Sequence, residues 1–243
     1  MLYTHIINKI KHEKMIVLLI DPDKQTTDSL THLVTIAQKA DIDFFLMGGS
    51  IIATSLSEQL KLIKQLTNIP VFLFPGNLLQ LCNKADGILL LSLLSGRNAE
   101  FLIGNHVNAA PFLKNSGMEI ISTGYILIDT GKRTSVEYMS NTVPIPSNKP
   151  EIAVATAMAG EMLGQKLIYL EGGSGADSTI SKELISSVRK NISIPLIVGG
   201  GIRDEKTASE IFDAGADIIV IGSIAEENPE AVLGIAKARI SIK

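Results

Sequence analysis

The residues able to do chemistry in this chain gather at the ends of short apolar runs. The run Leu167–Leu170 leads into Glu171, Gly172, Gly173, Ser174 and Gly175; the run Leu196–Val198 leads into Gly199, Gly200 and Gly201; the run Ile218–Ile221 leads into Gly222 and Ser223. Glycine lets a backbone approach an anion closely and reach positive φ. Successive exposed N–H groups form an anion-binding nest, and a following helix N-terminus adds its positive end. Tight turns between strand and helix would use the same glycines. Three such loops in succession, with Ser174 and Ser223 as added donors, point instead to a phosphate site. Tyr169 and Glu171 lie two residues apart, so both can project to one side of a strand end. A carboxylate placed there can accept a hydroxyl proton or orient a hydroxyl; its alternative is a salt bridge to a lysine.

A second cluster follows the first apolar run, Ile16–Ile20, as Asp21, Pro22, Asp23 and Lys24. Two carboxylates and an ammonium at one turn suit a hard cation such as Mg2+, which prefers carboxylate and water oxygens and often bridges substrate phosphates. Acids favouring a helix N-terminus are the other reading. Asp21 is the better inward ligand because it directly ends the run. The run Phe44–Met47 ends in Gly48, Gly49 and Ser50. That hydroxyl can reach a metal or a diphosphate, or serve as a helix N-cap. His5, His12, His32 and His106 are scattered without ligand spacing and read as surface or capping residues. Cys82 has no recognisable base partner and no second cysteine, which excludes an internal disulfide and fits a reducing, cytoplasmic setting.

These residues need a scaffold that brings several strand ends together. Eight apolar runs serve: Ile16–Ile20, Phe44–Met47, Val71–Phe74, Gly87–Leu91, Glu119–Ile128, Leu167–Leu170, Leu196–Val198 and Ile218–Ile221. Helices are expected over Thr27–Lys39, Ser57–Leu66, Glu151–Leu163, Lys182–Lys190, Lys206–Ala214 and Pro229–Ser241. Alternating strands and helices imply an α/β fold with a parallel sheet, and 243 residues is close to the roughly 250 of one (β/α)8 TIM barrel. The expectation is one domain spanning residues 1–243. The intervals after the third and fourth runs read poorly as helix, and in the third Pro75, Gly76 and Asn77 follow at once. Residues 129–150 form a long excursion of the kind that makes lids and binding loops.

Hydrophobic residues make up 46% and charged residues 19%, with a net charge of −3. No basic stripe indicates nucleic acid, and no polybasic run indicates anionic lipid. The start of the chain lacks a signal-peptide pattern, and no apolar run approaches the roughly 18 residues of a membrane span.

The strings LLIDPDK (18–24), GGS (48–50), YLEGGSGA (169–176), PLIVGGGIR (195–203) and ADIIVIGS (216–223) together resemble the geranylgeranylglyceryl phosphate synthase family. LSGRNAEFLIG, GYILIDTGKRTSV and IAVATAMAGEMLG strengthen the likeness and suggest the longer of its two subgroups, found in some archaea and bacteria. The resemblance implies a barrel with one peripheral helix missing. It also implies a Mg2+-dependent prenyltransferase that joins a long prenyl diphosphate, such as geranylgeranyl diphosphate, to sn-glycerol 1-phosphate, releasing diphosphate.

By that resemblance the metal falls on Asp21 and Ser50. Glycerol phosphate falls on Tyr169, Leu170, Glu171, Gly172, Gly173, Ser174 and Gly175, on Gly200 and Gly201, and on Gly222 and Ser223. Glu171 would then orient the hydroxyl and take its proton, Tyr169 would hold a second hydroxyl, and Lys24 would add positive charge near the leaving group. Relatives imply a homo-oligomer, a dimer or a dimer-based hexamer. Two other functions fit the same loops: a sugar-phosphate isomerase or aldolase, which would need a lysine or a carboxylate pair inside the barrel, and a non-catalytic phosphate-binding barrel.

Overall fold

The structure, a computed structural model, describes residues 1–176 and 178–239. Its eight strands are β1 (Met15–Ile20), β2 (Phe44–Met47), β3 (Val71–Leu73), β4 (Gly87–Leu93), β5 (Glu119–Leu127), β6 (Leu167–Glu171), β7 (Leu196–Gly199) and β8 (Ile218–Ile221). They pair in parallel in sequence order, and β1 closes on β8 to complete a barrel. Strands covered on both faces read as continuous apolar runs, and alternation then divides each run between two cores. Val17, Leu46, Phe72, Leu89 and Ile197 fill the barrel interior. Leu18, Phe45, Ile88, Leu170 and Val198 pack outward toward the helices.

The helices are α1 (Leu2–Lys9), α2 (Thr27–Lys39), α3 (Leu56–Leu66), α4 (Asn105–Asn115), α5 (Ser135–Ser140), α6 (Pro150–Met162), α7 (Lys182–Arg189), α8 (Glu205–Asp213), α9 (Ser223–Glu227) and α10 (Ala231–Ile235). Helix α2 opens on a reciprocal capping box between Thr26 and Ser29, and α6 opens on Pro150, whose missing N–H costs nothing at a first turn. The helix expected over Pro229–Ser241 is instead α10 followed by a 3-10 turn, Ala236–Ala238. The end expected at Ser241 lies outside the described residues. Helices α4, α5 and α9 have no counterpart in the sequence reading, and neither has α1. Its Leu2, Tyr3 and Ile6 join the interior cluster, and the Leu2 and Tyr3 amides donate to the Glu119 carboxylate at the start of β5.

Between β3 and β4 the chain makes only a 3-10 turn, Leu78–Gln80. The peripheral helix expected to be missing is therefore absent here. The outward side chains of β4, Ile88 and Leu90, pack in the outer core with Leu78 and Leu81 of this short interval. The excursion after β5 contains α5, which Asn141 ends in a left-handed conformation at φ 50°. An isolated bridge from Ile145 to Ile128 ties the excursion back to the barrel.

Candidate active site

The three glycine loops meet at the carboxyl ends of β6, β7 and β8, around a cavity of about 300 Å3 lined by Gly173, Gly175, Gly200, Gly201, Gly222 and Ser223. Gly200 has φ +94°, and a Cβ there would stand 2.9 Å from the Gly172 Cα and the Gly173 nitrogen. No L side chain fits that approach. The Gly175 amide donates to Ser223 Oγ at 3.2 Å, and the Ser174 and Ser223 hydroxyls lie 3.3 Å apart. Arg203 also lines the cavity, with its guanidinium 3.3 Å from the Glu227 carboxylate.

Strand alternation decides what β6 contributes. Tyr169 and Glu171 point inward. Leu170 points outward into the helix-facing core and is fully buried there, so its expected place among the substrate contacts reduces to its backbone. Glu171 is 7% exposed, and its Oε1 accepts the Gly173 amide at 2.6 Å. Burial raises its pKa above the ordinary carboxylate value, and the Gly173 amide, Tyr169 and Tyr125 offset only part of that. Among the described residues no lysine or arginine pairs with it, which removes the salt-bridge alternative.

Tyr125 stands opposite Tyr169 in the β5–β6 register, with the rings edge to face at 5.3 Å. Phe74 packs on both tyrosines, at 5.7 Å from Tyr125 and 5.5 Å from Tyr169. Burial and the neighbouring Glu171 carboxylate push both phenols well above their usual pKa. The Tyr169 hydroxyl is sealed beside Gly199 and faces the Glu171 carboxylate, but among the described residues it falls short of ordinary hydrogen-bond geometry. A poorly paired buried hydroxyl is costly, and such groups mark places where a ligand can supply the missing bond.

The β1 rim separates its two aspartates. Asp23 accepts the amides of Ala53 at 2.8 Å and Thr54 at 2.7 Å, which fix the loop after β2; the Thr54 side chain and then these two amides lower its pKa. Among the described residues the Asp21 carboxylate accepts the Asp23 amide alone, at 3.1 Å, and keeps its Oδ2 turned toward Lys24 Nζ at 3.7 Å. Lys24 donates more closely to Glu226, at 2.8 Å. Burial opposes its charge, yet Glu226 and Asp21 together hold its pKa above the usual lysine value. Lys24 is thus a bridge between two carboxylates rather than a free cation. Gly49 places backbone beside Asp21, since a Cβ there would lie 3.5 Å from its carboxylate. Ser50 follows and lines the neighbouring groove. It caps no helix, because α3 starts only at Leu56 with Ser55 before it.

That groove, about 770 Å3, occupies the gap left by the missing helix. Its apolar lining includes Leu78, Leu81, Ile88, Leu90, Phe101 and Ala109. A wide π turn, Glu100–Gly104, leads into α4 beside it. Tyr125 lines the groove at its inner end. His106 also lines it, with Nε2 2.8 Å from the Leu91 carbonyl oxygen, and so differs from the surface histidine expected. Nothing local in the sequence marks Tyr125 or His106. Only the register of β5 against β6 and the turn of α4 bring them to the site.

A model of the PcrB family matches residues 8–239. The geranylgeranylglyceryl phosphate synthase of Spirosoma linguale is 47% identical over 229 residues, which is 94% of this chain and 92% of that protein. The wild-type GGGPS of Thermoplasma volcanium superposes with a TM-score of 0.93 at 38% identity, covering 99% of each chain. The (S)-3-O-geranylgeranylglyceryl phosphate synthase of Thermoplasma acidophilum, solved in complex with sn-glycerol-1-phosphate, superposes with a TM-score of 0.92 at 32% identity over 97% of each chain. Taken with the barrel and its rim, these likenesses establish that the chain belongs to the PcrB family, the family of the geranylgeranylglyceryl phosphate synthases.

Proposed function

We propose that this chain joins the prenyl group of a long prenyl diphosphate, of the geranylgeranyl kind, to the primary hydroxyl of sn-glycerol 1-phosphate. One observation carries the reading: nest, carboxylate and groove are contiguous. Glu171 accepts an amide of the nest, and Tyr125, which burial sets against Glu171, also lines the groove. A phosphate seated in the nest puts a three-carbon alcohol over Glu171, and a prenyl chain in the groove brings its first carbon to the same place. The names of the relatives and the ligand of the T. acidophilum protein support this substrate pair.

The donors at the β1 rim fit Mg2+ as a partly hydrated ion. Mg2+ is commonly held by one or two carboxylates plus substrate phosphate oxygens, and Asp21, which directly follows β1, keeps an oxygen uncommitted to a backbone amide among the described residues. Among the described residues no cluster of three acidic, histidine or cysteine side chains forms a closed cage. Asp21 would hold the ion, with Ser50 beside it, and the ion would neutralise the diphosphate leaving group. The protein's own residues do the rest. The groove aligns the prenyl chain and excludes water from the reacting carbon. The nest fixes the glycerol phosphate, a proximity effect. The bond from prenyl carbon to diphosphate oxygen breaks, the ether bond forms, and the hydroxyl proton passes to Glu171. Tyr169 would hold a second glycerol hydroxyl.

An isomerase or aldolase would need a lysine or a carboxylate pair inside the barrel. Among the described residues the interior presents Glu171 alone. The same reading takes the chain as one barrel domain, active as a homo-oligomer in the cytoplasm. The free Cys82 and the exposed Met162 and Leu163 at the end of α6 suit it, and among the described residues no helix is long and apolar enough to cross a membrane. The test is incubation with Mg2+, sn-glycerol 1-phosphate and radiolabelled geranylgeranyl diphosphate. The expected product is an organic-extractable phosphorylated ether, with diphosphate released in equal amount. No transfer at any prenyl length would reject the proposal.

A further inference from the structure

We infer that Lys132 is the charge partner of the substrate phosphate, carried over the nest by the loop after β5. The inference rests on the glycerol phosphate reading above. Residues 129–134 lie against the loop after β6 and are fastened to it at two points. Thr130 Oγ1 donates to the Gly172 carbonyl at 2.7 Å, and Lys132 Nζ donates to the Gly175 carbonyl at 3.1 Å. Gly173 has no room for a Cβ because the Thr134 side chain already fills that space. The loop is therefore packed on the nest.

The nest itself is nearly neutral. Its donors are backbone amides and the hydroxyls of Ser174 and Ser223, and the one cation in its lining, Arg203, is paired with Glu227. A phosphate monoester carries close to two negative charges at neutral pH. Lys132 matches that demand. Among the described residues its ammonium has no carboxylate within ion-pair distance and a carbonyl as its side-chain hydrogen-bond partner. An ammonium has three donors, so two remain for phosphate oxygens while the third stays on Gly175. The adjacent Arg133 is committed elsewhere: its guanidinium lies 5.7 Å from the Tyr138 ring centroid and 3.7 Å from Glu137. Two neighbouring cations in the sequence thus have different tasks. Lys132 acts as a positioning residue for the phosphate, without touching the reacting carbon or hydroxyl.

The test is calorimetric titration of the Mg2+-loaded protein with sn-glycerol 1-phosphate and, separately, with inorganic phosphate, for the wild type, Lys132→Gln, Lys132→Glu and Lys132→Arg. Lys132→Gln should weaken both ligands about tenfold, the scale of one charge-assisted contact, and Lys132→Glu more. Lys132→Arg should stay within about threefold of wild type. Steady-state kinetics should show the loss in KM for glycerol phosphate, with kcat and KM for the prenyl diphosphate within about twofold. Wild-type affinity in Lys132→Gln would overturn the inference and leave Lys132 a loop fastener, as would a raised KM for the prenyl diphosphate alone. A wild type that binds inorganic phosphate but not glycerol phosphate would sink the transferase reading. Loss of inorganic phosphate by Lys132→Gln would still sustain the charge role of Lys132.

Discussion

Replacing Glu171 with Gln separates the catalytic value of its carboxylate from its cost to the fold. Gln keeps the size and one acceptor oxygen, so the 2.6 Å bond from the Gly173 amide survives and the nest should hold its shape. What is lost is basicity. A general base contributes about 10²–10⁴-fold in rate. Positive charge developing at the prenyl carbon makes the hydroxyl a sufficient nucleophile early, so the loss should lie near 10²-fold, or about 2.7 kcal/mol of barrier. KM for glycerol phosphate should rise as well, since the same group orients the hydroxyl.

The pH profile gives a second readout. The reacting form is the carboxylate, and burial holds its pKa above the ordinary value. The acid limb of kcat/KM should therefore fall at a higher pH than an ordinary glutamate would give, and it should vanish in the variant. Stability should move the other way. Between the ordinary glutamate pKa and the raised folded one, the folded state binds more protons than the unfolded, so stability falls as pH rises through that window. Gln does not titrate. The variant should be more stable than wild type at pH 7, with the gap closing below the ordinary carboxylate range. A gain of about 1 kcal/mol would raise Tm by about 2–4 °C in a chain of this size. Radiometric turnover and calorimetric melting across pH test both halves. Unaltered kcat and KM, or a variant less stable than wild type at pH 7, would refute the assignment of Glu171 as a buried base.

Asp21→Asn should abolish Mg2+-dependent turnover while circular dichroism and Tm stay near wild type; normal activity with a normal metal titration would exclude Asp21 from the metal role. Ser223→Asp points an anion into the nest, and like-charge contact can cost several kcal/mol, so glycerol phosphate affinity by calorimetry should fall at least about 100-fold. Gly200→Ala must adopt φ +94° and intrude on the Gly172 backbone. It should lower stability by at least about 1–2 kcal/mol in denaturant melts and also weaken glycerol phosphate binding. Light scattering at micromolar concentration should give at least twice the 26.1 kDa chain mass, a monomer mass being the contrary result.

Much of this protein is legible in the order of its residues, because the physics involved is local. A strand covered on both faces must be apolar throughout, so the runs announce the strands: β2 and β8 have the boundaries the sequence suggests, and the others differ by one or two residues at an end. Closure in sequence order follows from alternation of strand and helix. The glycine loops are likewise visible, since close backbone approach leaves few other residues possible at Gly200 and Gly201. The bare third interval follows from Pro75 and Gly76, which allow no helix to start at once.

The rest depends on distances between segments far apart in the chain. Nothing near Leu2 or Ile6 says that they plug the barrel floor, because the Glu119 carboxylate that caps α1 comes more than a hundred residues later. Asp23 and Asp21 look alike in sequence, and only the loop after β2, folding back to present the Ala53 and Thr54 amides, commits one to backbone and leaves the other facing Lys24. Lys24 is neutralised by Glu226, two hundred residues on. Tyr125 meets Glu171 through the β5–β6 register, and His106 reaches the groove because the missing helix opens it. Local sequence determines which element forms and which way a side chain alternates. Which charge meets which partner is a property of the closed barrel, since electrostatic and packing terms depend on separation in space rather than along the chain.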